Sequence, residues 1–120
     1  MTLTELPQPT VSTAALVASV AADGGATVVR LRGEADLSTL PMVVDVLARA
    51  IAESDGPFIV DLADTEFIDT GTARALARAW QFLDDCGRTL TVRSPCRLAL
   101  RVLTLLDLGH LIEPDRVAVA

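Results

Sequence analysis

The stretch Phe67-Ile68-Asp69-Thr70-Gly71-Thr72 joins a strand pattern to a helix pattern. It comes after the mostly apolar run 58–62 and opens the helical pattern of residues 73–85. Asp69 and Thr70 are both residue types that cap a helix by accepting hydrogen bonds from its first backbone N–H groups. A hydroxyl at a helix start also lies where the free amides and the helix dipole would stabilise an added phosphate. The stretch therefore predicts a strand end, a helix start and a candidate modification site.

The composition indicates one soluble domain. The chain has 120 residues, of which 51% are hydrophobic, and this is enough for a single packed core. No apolar run approaches the length that spans a bilayer. The first ten residues carry no basic segment of the kind that begins a secretory signal. We therefore expect a cytoplasmic protein without membrane insertion.

The charge pattern excludes several classes of partner and chemistry. A net charge of −6 disfavours nucleic acid and anionic membranes, because both require clustered positive charge. All ten basic residues are arginine. The absence of lysine rules out a phosphate-loop lysine, a Schiff-base lysine and the lysine that phospho-accepting receiver domains need.

The few cysteine and histidine residues give no metal site. Cys86 and Cys96 are ten residues apart, and two cysteines in a cytosolic chain are usually buried thiols, with a redox-sensitive disulfide as the alternative. His110 is the only histidine, so a metal cluster or a histidine-based triad cannot be assembled from this chain. We expect no metal and no cofactor.

Strand and helix patterns alternate along the chain. Residues 1–12 are interpreted as a flexible lead-in, and residues 13–120 as the domain. The predicted strands are 14–21, 27–32, 58–62 and 89–92, followed by a last strand at 111–112 or 117–119. A hairpin turn is predicted at 23–25. The predicted helices begin after Ser38 or Thr39, with Pro41 in the first turn, around Gly71–Thr72, and at Cys96.

This order predicts an α/β fold. The elements read β-β-α-β-α-β-α-β, which implies a mixed, mainly parallel sheet of about five strands with three packed helices. Within it, residues 27–32 alternate like a strand with one face in water, whereas 58–62 is expected to be covered on both faces. The helix after Thr39 carries an apolar stripe that consists of Leu40, Val43, Val44, Leu47, Ala50 and Ile51.

Four carboxylates are candidates for chemistry, namely Glu34, Asp36, Asp61 and Asp69. Asp36 and Asp69 both follow strands that should end at the same edge of the sheet, where α/β proteins tend to bind ligands. Nothing in the sequence implies the cleft that a paired-carboxylate hydrolase needs, and no nucleophile, dinucleotide or zinc motif is present. We therefore interpret these residues as caps and expect a protein that is not an enzyme.

Three segments together resemble a STAS domain, the fold of bacterial anti-sigma factor antagonists. They are Val28-Val-Arg-Leu-Arg-Gly-Glu-Ala-Asp-Leu-Ser-Thr39, Ile59-Val-Asp-Leu62 and Phe67-Ile-Asp-Thr-Gly-Thr72. They occur in the family's order and at its spacing, and the similarity runs from about Ala14 to Ile112. Ser94-Pro95 and Leu108-Gly109, on either side of the last helix, also fit.

The resemblance implies a binding module. Such antagonists bind an anti-sigma factor, usually a serine/threonine kinase, and so free a sigma factor for transcription, as in a stress response. We expect a monomer or weak dimer. Carried over to this chain, the partner-binding residues are Asp36, Ser38, Asp69, Thr70, Gly71, Thr72 and Arg74.

The turn departs from the family pattern at one position. Many members carry two hydroxyl residues after the aspartate, and the kinase phosphorylates the second, which here is Gly71. Either Thr70 or Thr72 has become the phosphorylation site, or the switch is lost, and a disulfide between Cys86 and Cys96 is a further possible control. The alternative function is a STAS subunit that regulates a membrane transporter of the lipid ABC type, a group that uses a similar Asp-Thr-small turn.

Overall fold

The computed structural model describes residues 10–12 and 15–114. Its strands are β1 (Thr10–Ser12), β2 (Leu16–Asp23), β3 (Ala26–Ala35), β4 (Phe58–Ile68) and β5 (Leu90–Arg93). Its helices are α1 (Leu40–Ala52), α2 (Thr70–Asp85) and α3 (Arg97–Leu105), followed by a short 3-10 helix at Gly109–Leu111.

The strands form one sheet in chain order, β1-β2-β3-β4-β5. β1, β2 and β3 pair antiparallel, and β3, β4 and β5 pair parallel, with α1 and α2 as the two crossovers. The predicted hairpin joins β2 to β3 through Gly24 and Gly25, which both have positive φ angles. The predicted α/β fold with a five-strand mixed sheet and three helices is confirmed.

The structure places a strand inside the expected lead-in. Thr10–Ser12 forms β1 and pairs with residues 17–19 of β2, so the sheet begins within residues 1–12. All three residues of β1 are exposed, which explains why no hydrophobic pattern marked them. Residues 1–9 lie outside the described residues.

Residues 111–112 do not form the last strand that the sequence predicts as one alternative. Leu111 belongs to the 3-10 helix, and Ile112 forms a single parallel bridge to Val92 at the edge of the sheet instead of a strand. The alternative last strand at 117–119 lies outside the described residues.

One face of the sheet carries the core. Because both parallel crossovers step in the same direction along the sheet and such crossovers are right-handed, α1 and α2 lie on the same face. They pack against an apolar layer in which Val29, Leu31, Val60 and Leu62 are fully buried. The predicted alternation of β3, with arginines on its other face, is confirmed.

The expectation that 58–62 is covered on both faces is wrong in part. Ile59 is only half-buried, and Asp61 points to the polar face, where it is buried by an ion pair. Arg30 Nη2 lies 3.1 Å from Asp61 Oδ2, and the other carboxylate oxygen accepts the Ala63 N–H. Asp61 is therefore a structural residue of the sheet.

The hairpin brings β2 very close to Gly33 of β3. Glu34 N–H donates to the Ala15 carbonyl at 2.9 Å. Gly33 has a φ of +119°, and a Cβ atom there would lie 2.1 Å from the same carbonyl oxygen. Only glycine fits this position, so Gly33 keeps β3 paired up to the end that carries Asp36.

The helix boundaries are close to those predicted. The stripe on α1 is shifted, since Val46 is buried and Val44 is exposed. α2 begins at Thr70, one residue before the predicted start, and α3 begins at Arg97 after the capping residue Cys96. Among the helices of the described ranges, none combines the length and the apolar character needed to cross a bilayer.

Candidate functional site

Two neighbouring strands end side by side at the carboxyl edge of the sheet. Ala35, the last residue of β3, is paired in register with Ile68, the last residue of β4. Asp36 and Asp69 follow them directly, as the sequence predicted. We call the surface formed by residues 36–40 and 69–74 the carboxyl-edge surface.

Asp36 organises the entry into α1. Its Oδ1 accepts hydrogen bonds from the Ser38 N–H at 2.9 Å, the Ser38 hydroxyl at 2.6 Å and the Thr39 N–H at 3.3 Å. Thr39 Oγ1 in turn accepts the Asp36 N–H at 2.9 Å. The hydrogen bond from the Ser38 hydroxyl is the main cause that lowers the pKa of Asp36 below its ordinary value.

The predicted side-chain cap of α1 is therefore assigned differently. Thr39 occupies the N-cap position, but its side chain makes no cap hydrogen bond to the helix, and neither does that of Ser38. Both side chains bond within the turn: the Ser38 hydroxyl donates to the Asp36 carboxylate, and Thr39 Oγ1 accepts the Asp36 backbone N–H.

Asp69 is the N-cap of α2. Its Oδ1 accepts the Thr72 N–H at 2.8 Å, which satisfies one of the free donors of the first turn. Asp69 N–H donates to the Ala35 carbonyl at 3.0 Å, and the Thr72 hydroxyl donates to the same oxygen at 3.3 Å. The end of β3 and the start of α2 are thus joined through one carbonyl group.

The two helix entries repeat one local pattern that the sequence motifs did not reveal. Asp36-Leu-Ser-Thr39 and Asp69-Thr-Gly-Thr72 both place a threonine three residues after an aspartate that follows a strand. In both, the aspartate Oδ1 accepts the threonine N–H, and the threonine side chain is buried. The identical spacing after two adjacent parallel strands is the signal that identifies this repeat.

The predicted partner-binding residues divide into exposed and buried ones. Ser38, Thr70 and Arg74 are exposed, and Gly71 is half-buried beside Leu40. Thr72 is 0% exposed, so its hydroxyl is not accessible in this conformation, and only Thr70 of the two candidate phosphorylation sites lies at the surface.

Two exposed apolar residues near this edge have no role that the sequence predicts. Leu37 is 76% exposed in the turn before α1, and Phe67 is exposed near the end of β4. A leucine beside a capping aspartate has no distinguishing pattern, so only its exposure identifies it. A single exposed apolar side chain is normal at a protein surface, so it is the position of Leu37 beside the two helix entries that makes it a candidate contact residue.

The two cysteines lie at opposite ends of β4. Cys86 is the exposed C-cap of α2, next to the start of β4, because the Thr89 carbonyl accepts the Phe58 N–H. Cys96 Sγ lies 3.5 Å from the Glu66 carbonyl near the other end. The strand rises roughly 26 Å between Phe58 and Glu66, so the two thiols are too far apart for the disulfide that the sequence leaves open as an alternative. Cys86 is also not the buried thiol that was expected.

The charged groups of the described residues form no metal site. Within residues 10–12 and 15–114, no group of three or more histidine, cysteine, aspartate or glutamate side chains is arranged to hold a metal ion. His110 packs its ring edge-on against Trp80 with the ring centroids 4.9 Å apart, so it has a packing role.

The family model described as "Mlab, STAS domain" matches residues 18–113. The chain belongs to this STAS-domain family. No curated protein matches the chain at a significant level. The match covers most of β2, the strands β3 to β5, all three helices and both helix entries of the carboxyl-edge surface.

Solved structures share the fold of this STAS domain. An anti-sigma factor antagonist from Mycobacterium paratuberculosis is 22% identical, with a TM-score of 0.77 over 90% of this chain and 94% of that one. The Bacillus cell fate determinant SpoIIAA in its phosphorylated form is 15% identical, with a TM-score of 0.65 over 85% and 95%. The murine anion transporter Slc26a9 is 16% identical, with a TM-score of 0.54 over 72% of this chain and 14% of that one.

Proposed function

We propose that this STAS domain is an anti-sigma factor antagonist that acts by protein–protein contact through its carboxyl-edge surface. The partner is an anti-sigma factor of the serine/threonine kinase type, and binding it releases a sigma factor for transcription. The protein acts in the cytoplasm as a monomer or weak dimer, without a cofactor and without catalysis.

One observation carries the proposal. The Asp36 loop and the Asp69 turn are joined through the Ala35 carbonyl into one surface, in which Leu37 is 76% exposed. A polar rim around an exposed apolar side chain is the usual composition of a protein-binding site, in which one anchor supplies much of the affinity. The fold shared with the anti-sigma factor antagonist from Mycobacterium paratuberculosis and with SpoIIAA, which is also an anti-sigma factor antagonist, supports the same assignment.

Thr70 is the residue we propose as the phosphorylation site. It is exposed in the first turn of α2, where the free amides would stabilise a phosphate, whereas Thr72 is buried. A phosphate would add about −1.5 to −2 charge to the sheet edge that already carries the Asp36 and Asp69 carboxylates. That charge would repel an acidic partner surface, so phosphorylation would release the anti-sigma factor.

The test compares two leucines that are equally exposed in different places. Leu37 lies in the carboxyl-edge surface and is 76% exposed, and Leu105 lies at the end of α3 and is 77% exposed. Immobilised wild type and Leu105→Asp should both capture an ATP-binding anti-sigma kinase from a lysate of the source organism. Leu37→Asp should lose it, with an affinity at least about tenfold lower. Equal capture by all three proteins would contradict the proposal.

A second measurement tests the switch. Incubation of wild type with the captured kinase and ATP should add one phosphate by intact mass, and Thr70→Val should remove that gain while it keeps the fold. A mass gain that persists in Thr70→Val would assign phosphorylation elsewhere. No gain at all, with binding retained, would leave the turn as a docking surface only.

One observation favours a second function, the regulation of a transporter. Gly71 stands where the family resemblance places the phospho-acceptor hydroxyl of anti-sigma factor antagonists, and part of the anion transporter Slc26a9 shares this fold. Under this hypothesis the carboxyl-edge surface contacts a transporter subunit. Capture of a transporter ATPase in place of an anti-sigma kinase, sensitive to Leu37→Asp, would support it and overturn the first proposal.

A further inference from the structure

An apolar groove of about 340 Å³ runs between α1 and α2. It shares no residue with the carboxyl-edge surface, so a ligand bound there would go beyond the proposed function. Its volume lies in the range of small-molecule sites, which is roughly 300–1,000 Å³. Its lining consists of Val44, Leu47, Ala48, Ile51 and Ala52 from α1 and of Ala75, Arg78, Ala79 and Phe82 from α2.

The groove exists because small side chains face each other. Ala48 and Ala52 of α1 oppose Ala75 and Ala79 of α2, and these methyl groups cannot fill the space between two helices. Larger apolar residues border this space and remain in water, since Val44 is 47% and Phe82 57% exposed. Exposed apolar surface of this kind favours an apolar occupant, because burial would remove it from water.

Arg78 is the only charged residue of the lining. Elsewhere Arg30, Arg49 and Arg93 form ion pairs with carboxylates. Within the described part of the chain, Arg78 makes neither an ion pair nor a side-chain hydrogen bond. An aliphatic trough with one uncompensated guanidinium group is complementary to a molecule with an apolar chain and a single anionic head.

The size of the groove distinguishes a small molecule from a protein segment. Nine residues line it, whereas a specific protein interface uses roughly 20–30 residues per partner. The lining also offers no polar side chain other than Arg78 to pair with a peptide. We propose that the groove binds an aliphatic carboxylate, with its chain between α1 and α2 and its carboxylate on the Arg78 guanidinium group.

The first experiment measures ligand chemistry on the full-length protein. Titration calorimetry below the micelle concentration should give saturable one-to-one binding of laurate, and about tenfold weaker binding of the uncharged lauryl alcohol. Along the series octanoate, decanoate and laurate, each added methylene that is buried should tighten binding about fourfold. No saturable binding of laurate, or equal affinity for laurate and its alcohol, would overturn the proposal.

Matched variants locate the site. Arg78→Gln should abolish the preference for laurate over lauryl alcohol, while Arg101→Gln, which changes an exposed arginine of α3 outside the groove, should leave it unchanged. Ala48→Trp should fill the groove and weaken both ligands by at least about tenfold. Because Ala48 is exposed, this variant should fold, which thermal unfolding checks. Phe82→Ala removes one exposed wall and should weaken both ligands as a second test.

Two further results would contradict the proposed ligand of the groove. If Arg78→Gln and Arg101→Gln bind laurate equally, the arginine has no role and the proposal is wrong. If laurate does not bind, and sedimentation shows that Ala48→Trp disrupts a dimer of the wild type, the groove is an interface between two copies of the chain, and the proposal is again wrong.

Discussion

The entries into α1 and α2 start from the same chemistry and present different surfaces. Each has an aspartate after a strand and a buried threonine three residues later, and each aspartate Oδ1 accepts the threonine N–H. Between these residues, however, the first entry carries Leu37 and Ser38, and the second carries Thr70 and Gly71. In each entry the aspartate and the threonine form the hydrogen bond of the turn, and the two residues between them form the surface that a partner would contact.

The difference divides the carboxyl-edge surface into two parts. The α1 entry presents an exposed leucine and a hydroxyl that is already bonded to Asp36 at 2.6 Å. The α2 entry presents the exposed Thr70 hydroxyl beside a glycine. An apolar side chain suits a permanent contact, while an accessible hydroxyl at a helix start suits modification. One edge of the sheet thus combines a proposed anchor with a proposed switch.

The largest expected effect is a difference in unfolding free energy between the same substitution at the two threonines of the α2 entry. Thr72→Asp would place a buried carboxylate against the Ala35 carbonyl, which now accepts the Thr72 hydroxyl at 3.3 Å, so two acceptors would face each other without a proton. We expect a loss of about 3 kcal/mol or more in the free energy of unfolding. The exposed Thr70→Asp should change it by less than about 0.5 kcal/mol. Urea denaturation measures both changes. Equal midpoints for the two variants would contradict the expected cost of a buried carboxylate at position 72.

The next effect compares the aspartates of the two helix entries. Asp69→Ala removes the direct N-cap of α2 and should cost about 1 kcal/mol of unfolding free energy. Asp36→Ala should cost less, because the backbone bond from the Thr39 N–H to the Asp36 carbonyl remains. Chemical denaturation of both variants under one condition measures the difference. A larger loss of unfolding free energy for Asp36→Ala would contradict this order and would mean that the α1 entry depends more on its aspartate than the α2 entry does.

A smaller effect concerns Gly71. A Cβ atom there would lie 3.5 Å from Leu40 Cδ2, an ordinary contact, so Gly71→Ser fits without strain. Serine is a better helix former than glycine by about 0.5 kcal/mol, so the unfolding free energy should rise by about that amount. With the captured kinase and ATP, Gly71→Ser should gain a phosphate at position 71. Gly71→Ala is the control: it should gain stability as well, without phosphate at this position. Destabilisation of both variants would show that the turn requires glycine.

The smallest effect is a pH dependence of the α1 entry. The pKa of Asp36 is lower in the folded protein, so the ionised form contributes stability above its unfolded value and loses it as the pH falls through the folded value. Asp36→Asn keeps an acceptor but cannot ionise. The difference in urea midpoint between wild type and Asp36→Asn should be present at pH above about 4 and shrink at lower pH. A difference that is independent of pH would contradict this origin.

Much of the fold could be predicted because it depends on local patterns. The apolar runs, the Asp-Gly-Gly turn and the helical stripes place the starts of β2 to β5 and of all three helices within a few residues of their observed positions. The meeting of Asp36 and Asp69 was predictable too, since parallel strands end at one edge. β1 could not be predicted, because its three exposed residues show no hydrophobic pattern. It is a strand only through its pairing with β2.

Other features depend on residues that are far apart in the chain. The burial of Asp61 depends on Arg30, which is 31 residues away. The groove depends on alanines of two helices that the fold brings together, and the separation of Cys86 from Cys96 depends on the length of β4. No spacing along the chain expresses these relations, so sequence patterns could not identify them.

By itself, the sequence determined the alternation of strands and helices and the place of Asp36 and Asp69 after two strands, because these depend on residues within a few positions of each other. It also determined the family, because several such short motifs occur in one order and at one spacing along the chain. Only the tertiary structure decided which hydroxyl is accessible. Thr70 and Thr72 are the same residue type two positions apart, but the Thr72 side chain turns towards the Ala35 carbonyl of a neighbouring strand and Thr70 turns to solvent. Burial is set by long-range packing, and here it distinguishes a structural threonine from a candidate switch.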